Sequence, residues 1–517
     1  MEKLKKIWRT AKLFLLGLLV GALLTALALA PPLMRWVGAN TGSARAEQGA
    51  PEVSAPRPVF VRVAGAAAGA GVSADGRTWV APAAGEAELS LLPGAYELRA
   101  ALANKTVFTA WTLYQTGADT QAPVLDLSLA PECPEFIILE KNYGEDASLP
   151  LPLSGAATVT LEKSAPGLSV RADEGGLFRL EAGPAVRPGF YHVVLTAHGD
   201  GGETVTHAGL RVRAAGAAAE IAGAGDLEAM AYNLNGHFRL TADIDLSAIP
   251  WRSVGTEEYP FTGVFEGGGH EIRGLSAPLF GVVQSAEISG VALSAPAVAE
   301  GETAAALAVV ARDSFIHDAA VLGGSVRAAA AAGCVYRAEG SVLSGLVNSA
   351  AVEAEAPAAA RPRAGGLTAV VSGRSLVLSC VNGGAVSGNY LAGGIAALAA
   401  ESDISRCFAG GSVRAPLAAG LPPAGSVVHL AEWGRVTDCY YLENEDETLV
   451  GAGAGNLSPA VVAAVTPLTA EEARAAAELS RLGEFTGPAP EWTFHPEWAG
   501  PLPGGAAAIF PAGPAAE

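Results

Sequence analysis

Between residues 285 and 441 the chain repeats itself. Aligned on one aliphatic position, six copies appear: Ile288, Ile316, Leu343, Val377, Ile404 and Val436, at steps of 28, 27, 34, 27 and 32 residues. Three places later stand Val291, Ala319, Leu346, Cys380, Cys407 and Cys439. A small pair followed by Val also recurs, as GGSV at Gly323, SAAV at Ser349, GGAV at Gly383 and GGSV at Gly410. A unit this short cannot enclose a core alone, so its apolar side chains must stack on those of the next unit. In-register stacking puts like on like about 4.8 Å apart and builds aliphatic ladders. Glycines at fixed points are expected to supply the positive φ of sharp corners. A helical solenoid of similar period would need helix-length amphipathic segments, and the glycine pairs argue against them. The expected fold is a right-handed parallel β-helix. Hydrophobic residues make up 50% of the chain, and the abundance of Ala among them suits a narrow tube.

The segment before the repeats, FRLTADIDLSAIPWRSVGTEEYPFTGVFEGGGHEIRGL at 238–275, reads as the cap on the open end of the solenoid. Phe238, Leu240, Ile244, Leu246, Trp251, Phe261, Phe265 and Ile272 alternate as inward residues, whereas Asp243 and Asp245 face the other way. Further motifs extend this signature. They are Asp226-Leu227, Asp243-Ile244-Asp245-Leu246, Val254-Gly255, Phe261-Thr262-Gly263 and Gly267 to Leu275, with Cys439-Tyr440-Tyr441, Trp492 and Trp498 downstream. As a set these resemble GLUG-motif β-helix proteins, which are surface proteins of Gram-positive bacteria; the same repeats also occur beside zinc IgA-protease domains. The resemblance covers 221 to about 503. It departs at Glu266, where the family has Asp, and at Ala277-Pro278-Leu279-Phe280-Gly281, where Gly-Leu-Phe-Gly is usual. It implies a surface role and no catalytic role for the opening motif.

The start of the chain differs in kind. Residues 1–12 carry Lys3, Lys5, Lys6, Arg9 and Lys12 against Glu2, and residues 13–30 are uncharged and apolar. At 1.5 Å per residue that run spans roughly 27 Å, close to the hydrocarbon thickness of a bilayer. Its flanking charges place the N-terminus in the cytoplasm and the bulk of the chain outside the cell. A cleaved signal peptide is the competing reading, since small residues end the run and Ala44-Arg45-Ala46 offers a second cut. The length of the run and Pro31-Pro32 behind it favour an uncleaved signal-anchor. Residues 31–55 read as a linker. Short alternating runs suggest a small β-sandwich at 56–130 and an Ig/cadherin-like sandwich at 131–214. Ala214 to Glu220 is a second linker, followed by the opening segment at 221–275, the coils at 276–445 and a C-terminal cap and tail at 446–517. The fold class is therefore all-β behind one transmembrane helix.

The search for chemistry returns little. There are 33 basic against 52 acidic residues, a formal charge of −19, so nucleic acid is not expected as a partner. The membrane is one expected partner, and a cell-surface glycan or protein a second. His270-Glu271 does not continue into a His-Glu-x-x-His zinc motif, and neither a nucleophile elbow nor a phosphate loop is present. Asp243 and Asp245 supply only part of a calcium site and read better as solvated or turn-capping acids. Three aligned cysteines, Cys380, Cys407 and Cys439, are near enough for a disulfide, but they share a column with Val, Ala and Leu and read better as buried thiols.

Parallel β-helices also serve polysaccharide lyases and hydrolases, which gather carboxylates on adjacent coils. Three places before each aligned residue stand Ser285, Asp313, Gly340, Arg374, Glu401 and Trp433; immediately before it stand Glu287, Phe315, Val342, Leu376, Asp403 and Arg435. Arg374, Glu401 and Asp403 form the one neighbouring charged set, expected to be a salt-bridged rim. No residue is assigned as catalytic, as a cofactor ligand or as a metal ligand. The expectation is a non-catalytic, membrane-anchored surface protein, with a carbohydrate-active enzyme as the alternative.

Overall fold

A computed structural model describes residues 56–65, 70–75, 78–83, 85–114, 123–299, 301–415, 424–442, 450–454, 461–469, 492–493 and 510–511. The expected signal-anchor, the first linker and Trp498 lie outside the described residues. Among the described residues, no helix is long and apolar enough to cross a membrane.

From Ala219 onward the chain winds as stacked coils of short parallel strands, a β-helix-like arrangement of three sheets. The longest sheet has 17 strands and runs from Ala219–Ile221 to Val461–Leu468. A second sheet carries Phe280–Gln284, Ala308–Arg312, Val335–Glu339, Thr368–Ser372, Ala396–Ala400 and Gly425–Glu432 side by side. A third, five-stranded sheet begins at Ala297–Val298 and ends at Val413–Arg414. The six residues aligned in the sequence are direct register partners: Ile288 pairs Ile316, then Leu343, Val377, Ile404 and Val436 in turn. Stacking goes on past residue 445, through Val450–Ala454 on the second sheet and Val461–Leu468 on the first.

Inside the tube one continuous apolar cluster extends from Ile221 to Cys439. All eight residues expected to point inward from the opening segment are buried there, and Trp251 donates its indole N–H to the Pro278 carbonyl at 3.0 Å. The helix Ala224–Ala229 adds Leu227 to this end of the core. Polar ladders run beside the aliphatic ones. The backbone N–H of Ala286, Ser314, Ser341 and Ser375 each donates to the hydroxyl of the serine one coil on, at 2.9–3.2 Å. Buried Asn348 donates to the Asn382 side chain at 2.8 Å. Such pairing satisfies polar groups that burial would otherwise leave costly.

The glycines do a different job from the one expected. Each aligned strand is bounded by two left-handed corners. The first column is Ser285, Asp313, Gly340, Arg374, Glu401 and Trp433, and the second is Gly290, Asp318, Gly345, Ser379, Arg406 and Asp438. Nine of these twelve residues are not glycine. Apart from Gly323-Gly324, which take φ +64° and +75°, the recurring Gly pairs answer instead to close approach between coils. A Cβ on Gly366 would stand 1.9 Å from the Gly394 carbonyl oxygen, and one on Gly394 would stand 2.1 Å from that of Ser426.

Before the coils, two apolar cores lie under a shared sheet. Val61, Leu98 and Leu127 belong to one core, and Leu180, Leu195 and Leu210 to the other. The strand Gly202–Arg213 pairs antiparallel with Lys105–Leu113, so a seven-stranded sheet crosses the boundary expected near residue 130. The described residues cluster as one compact unit.

Candidate functional site

The outward column of the longest sheet is covered by the β-rich region before the coils, where the two sandwiches were expected. Phe315 stacks on Phe190, with ring centroids 5.0 Å apart, and lies 5.4 Å from Phe136. Val342, Leu376 and Leu378 complete this apolar contact. Toward the C-terminal coils, Asp403 lies 3.0 Å from His207 Nε2, and Ser405 and Arg406 both donate to Glu135 at 2.8 Å. Arg435 donates to the carbonyls of Ala103 and Lys105 at 2.8 and 2.9 Å.

The charged set singled out in the sequence is not a rim paired within itself. Arg374 reaches Glu162 at 3.3 Å and Asp403 reaches His207, both on the sandwich side. Glu401 is an exposed left-handed corner. The corner column takes part in docking as well. The Ser285 carbonyl accepts from the Phe190 N–H at 2.9 Å, and Asp313 pairs with Lys163 at 2.8 Å.

At the N-terminal coils the two parts diverge and leave a cleft of about 1430 Å³. Arg211 and Arg213 line its sandwich wall, with His237, Arg239, Glu266 and Glu287 on the coil wall. Most of this charge is already paired. Arg211 holds Glu287 at 2.5 Å and Glu140 at 3.0 Å, Arg213 shares Glu140 at 2.9 Å, and Arg239 and His237 both hold Glu266. Arg211 Nε is buried with no hydrogen-bond partner. At the inner end, His317 bonds Asp318 at 2.7 Å and Glu287 at 3.1 Å. Burial opposes the charge on His317, but hydrogen bonds to those two carboxylates outweigh it and raise its pKa. Burial likewise opposes the Glu287 charge, and His317 and Arg211 hold its pKa down. The charged groups that line this cleft are thus largely paired with one another across its two walls and along the coils.

Asp243 and Asp245 do not converge on one point. Asp243 accepts from the Glu271 backbone N–H at 3.0 Å and Asp245 from that of Ser247 at 2.8 Å, as turn-capping acids do. Cys380, Cys407 and Cys439 stack as buried free thiols. Among the described residues, no three His, Cys, Asp or Glu side chains are placed to hold a metal. Sequence reasoning did not single out His192, His207 or Glu135. Their partners on the coils, Gly340, Asp403 and Ser405, lie more than a hundred residues away, and no spacing signals them.

Comparison with known proteins places residues 224–323, the opening segment and first coils, in a match to the family described as M26 IgA1-specific Metallo-endopeptidase N-terminal region. No curated protein matches the chain. Among solved structures, an IgA1 protease aligns at 13% identity and TM-score 0.30 over 81% of this chain, which spans 27% of that protein. An endo-fucoidan hydrolase from glycoside hydrolase family 107 aligns at 16% identity and TM-score 0.15, covering 33% of this chain and 34% of the other. A Bacteroides ovatus mixed-linkage glucan utilization protein aligns at 13% identity and TM-score 0.10, covering 35% and 49%. The family match thus falls on one stretch of this chain, the coil wall of the cleft included, and on the N-terminal region of the family.

Proposed function

We propose that this chain is a non-catalytic bacterial cell-surface protein. Residues 13–30 hold it as a single-pass signal-anchor, with the N-terminus cytoplasmic and residues 56 onward outside. The coils are GLUG-type repeats wound right-handed, as parallel crossovers overwhelmingly are, and the two modules before them are Ig-like. The sandwich braces the coils into a stiff body whose cleft and free faces meet an extracellular glycan or protein.

One observation carries this reading. The outward column from Phe315 to Arg435 is spent on docking the sandwich, which leaves no accessible carboxylate pair along it. The family match to an N-terminal region supports the surface setting.

Protease shaving of intact cells producing the full chain tests the proposal. Fragments beginning after residue 56 should be released while a tag at residue 1 stays protected. Protection of the whole chain, or a mature N-terminus near Ala39 or Glu47, would overturn the anchored arrangement.

A further inference from the structure

His192 and His207 lie on neighbouring strands of the second module and are buried against the coils, 2% and 3% exposed. Their rings stack 5.1 Å apart and 11° from parallel. They form the middle of a string anchored on the coils at both ends. Asp403 Oδ2 lies 3.0 Å from His207 Nε2, His207 Nδ1 lies 2.9 Å from His192 Nε2, and His192 Nδ1 lies 2.8 Å from the Gly340 carbonyl oxygen. Lys163 Nζ sits 3.3 Å from His192 Nδ1, donates to the same Gly340 carbonyl at 2.5 Å and pairs with Asp313 at 2.8 Å.

Proton counting limits this string. One hydrogen bond joins His192 Nε2 to His207 Nδ1, so only one of those nitrogens can carry a proton. In the neutral pair Lys163 donates to His192 Nδ1, His192 donates through Nε2 to His207 Nδ1, and His207 donates through Nε2 to Asp403. A second proton on His192 would have to sit on Nδ1, where it displaces Lys163 from that nitrogen and places a cation beside the ammonium. Burial, His207 and Lys163 all hold the His192 pKa well below its ordinary value, against the pull of the Gly340 carbonyl. Glu135 and Arg435 line the small cavity at the far end, where Arg406 pairs with Glu135; the carboxylate facing the imidazoles directly is Asp403. At the cleft end His317 has the opposite bias, because Asp318 and Glu287 favour its charged form.

We propose that the His192–His207 string is a pH-sensitive latch, holding the second sandwich module on the coils at neutral pH and releasing it on mild acidification. Once released, His192 meets water and takes up a proton that the docked state refuses. The docking equilibrium then falls by up to about tenfold per pH unit below about pH 6.5, one proton being linked to release. The His317 end stays closed, so opening proceeds from the His192 side.

Amide exchange of the full chain in detergent reads this directly. The Phe190 N–H donates across the interface to Ser285, and its protection, corrected for intrinsic exchange, should fall about tenfold per pH unit below about pH 6.5. Val377, inside the coil ladder, should stay protected. His192→Gln should flatten the Phe190 profile, and His207→Asn should do so if the first variant does not fold. A flat wild-type profile, an unchanged slope in the folded variant, or parallel loss of protection at Val377 would each overturn the latch.

Discussion

The Phe190 ring on the sandwich stacks on the Phe315 ring on the coils, with centroids 5.0 Å apart and planes 23° from parallel. Phe315 points away from the tube, yet it is only 2% exposed. An outward aromatic on a solvent-facing coil would be an adhesive patch; here it is the apolar centre of the docking surface. Phe315→Ala should cost about 3–5 kcal/mol, the usual range for a buried aromatic. The loss should fall on docking rather than on the coils. Denaturant unfolding should therefore split into two transitions, and one unshifted cooperative transition would refute this.

Trp251 closes the N-terminal end of the core, 5% exposed, with its indole N–H bonded to the Pro278 carbonyl. Trp251→Ala should cost about 3–5 kcal/mol and free the first coils. Asp243→Asn and Asp245→Asn keep an acceptor oxygen for Glu271 and Ser247, so their effect on the melting temperature should be small. A calcium-dependent rise in melting temperature, abolished by the two Asn changes, would make this stretch a metal loop.

Cys380, Cys407 and Cys439 occupy the column that Val291, Ala319 and Leu346 fill in earlier coils. Each thiol lies 3.2–3.3 Å from the carbonyl oxygen two residues before it and 3.7–3.8 Å from one on the preceding coil, and Cys380 also accepts from the Leu346 N–H at 3.4 Å. Replacing all three with Val should preserve the fold at under about 1.5 kcal/mol per site. Circular dichroism and thermal unfolding would detect the alternative, in which loss of the thiols unfolds the chain.

The coil register was legible because an aliphatic ladder demands the same kind of residue at the same place in every turn. Ile288 to Val436 announce themselves in that way, whereas the serine column at Ser314, Ser341, Ser375 and Ser402, two places earlier, was not singled out. The docking surface was not legible. Its column reads Glu287, Phe315, Val342, Leu376, Asp403 and Arg435, with no shared chemistry. Each member is matched to a different residue on the sandwich, and such matching leaves no period. The corners misled for a related reason. A left-handed conformation costs a non-glycine residue roughly 1–2 kcal/mol, yet the corner N–H groups of Asp313 and Arg374 are held by the next coil, donating to the Glu339 and Glu401 carbonyls at 2.9 and 3.0 Å.

Asp438 carries a penalty at neutral pH. Burial, with Glu135 nearby, raises its pKa from 3.8 to about 6. A raised carboxyl stabilises the fold while protonated, fully below about pH 3.8, and that contribution is lost as pH rises through about 6. Asp438→Asn should therefore stabilise the protein at pH 7 by an amount on the order of 2 kcal/mol. The gain should shrink toward pH 4. Urea titrations of both proteins at the two pH values would measure it, and an equal difference at both would contradict the assignment.

Gly366 and Gly323 separate two reasons for keeping a glycine. Gly323 has φ +64°, with nothing within 4 Å of an added Cβ. Asn tolerates that conformation, and Ala295 holds φ +45° at the matching place one coil earlier, so Gly323→Asn should change stability by less than about 1 kcal/mol. Gly366 is not in the left-handed region, yet its Cβ would meet the Gly394 carbonyl oxygen at 1.9 Å and the buried Asn382 amide at 2.4 Å. Neither can retreat: the carbonyl belongs to the next coil's backbone, and Asn382 is held in the amide ladder by Asn348. Gly366→Ala must push two coils apart and break that ladder, at a cost of about 3 kcal/mol or more. Thermal unfolding of the two variants decides the matter. If Gly366→Ala is tolerated while Gly323→Asn unfolds the coils, backbone conformation rather than close approach dictates the glycines, and the tube is less tightly stacked than these contacts require.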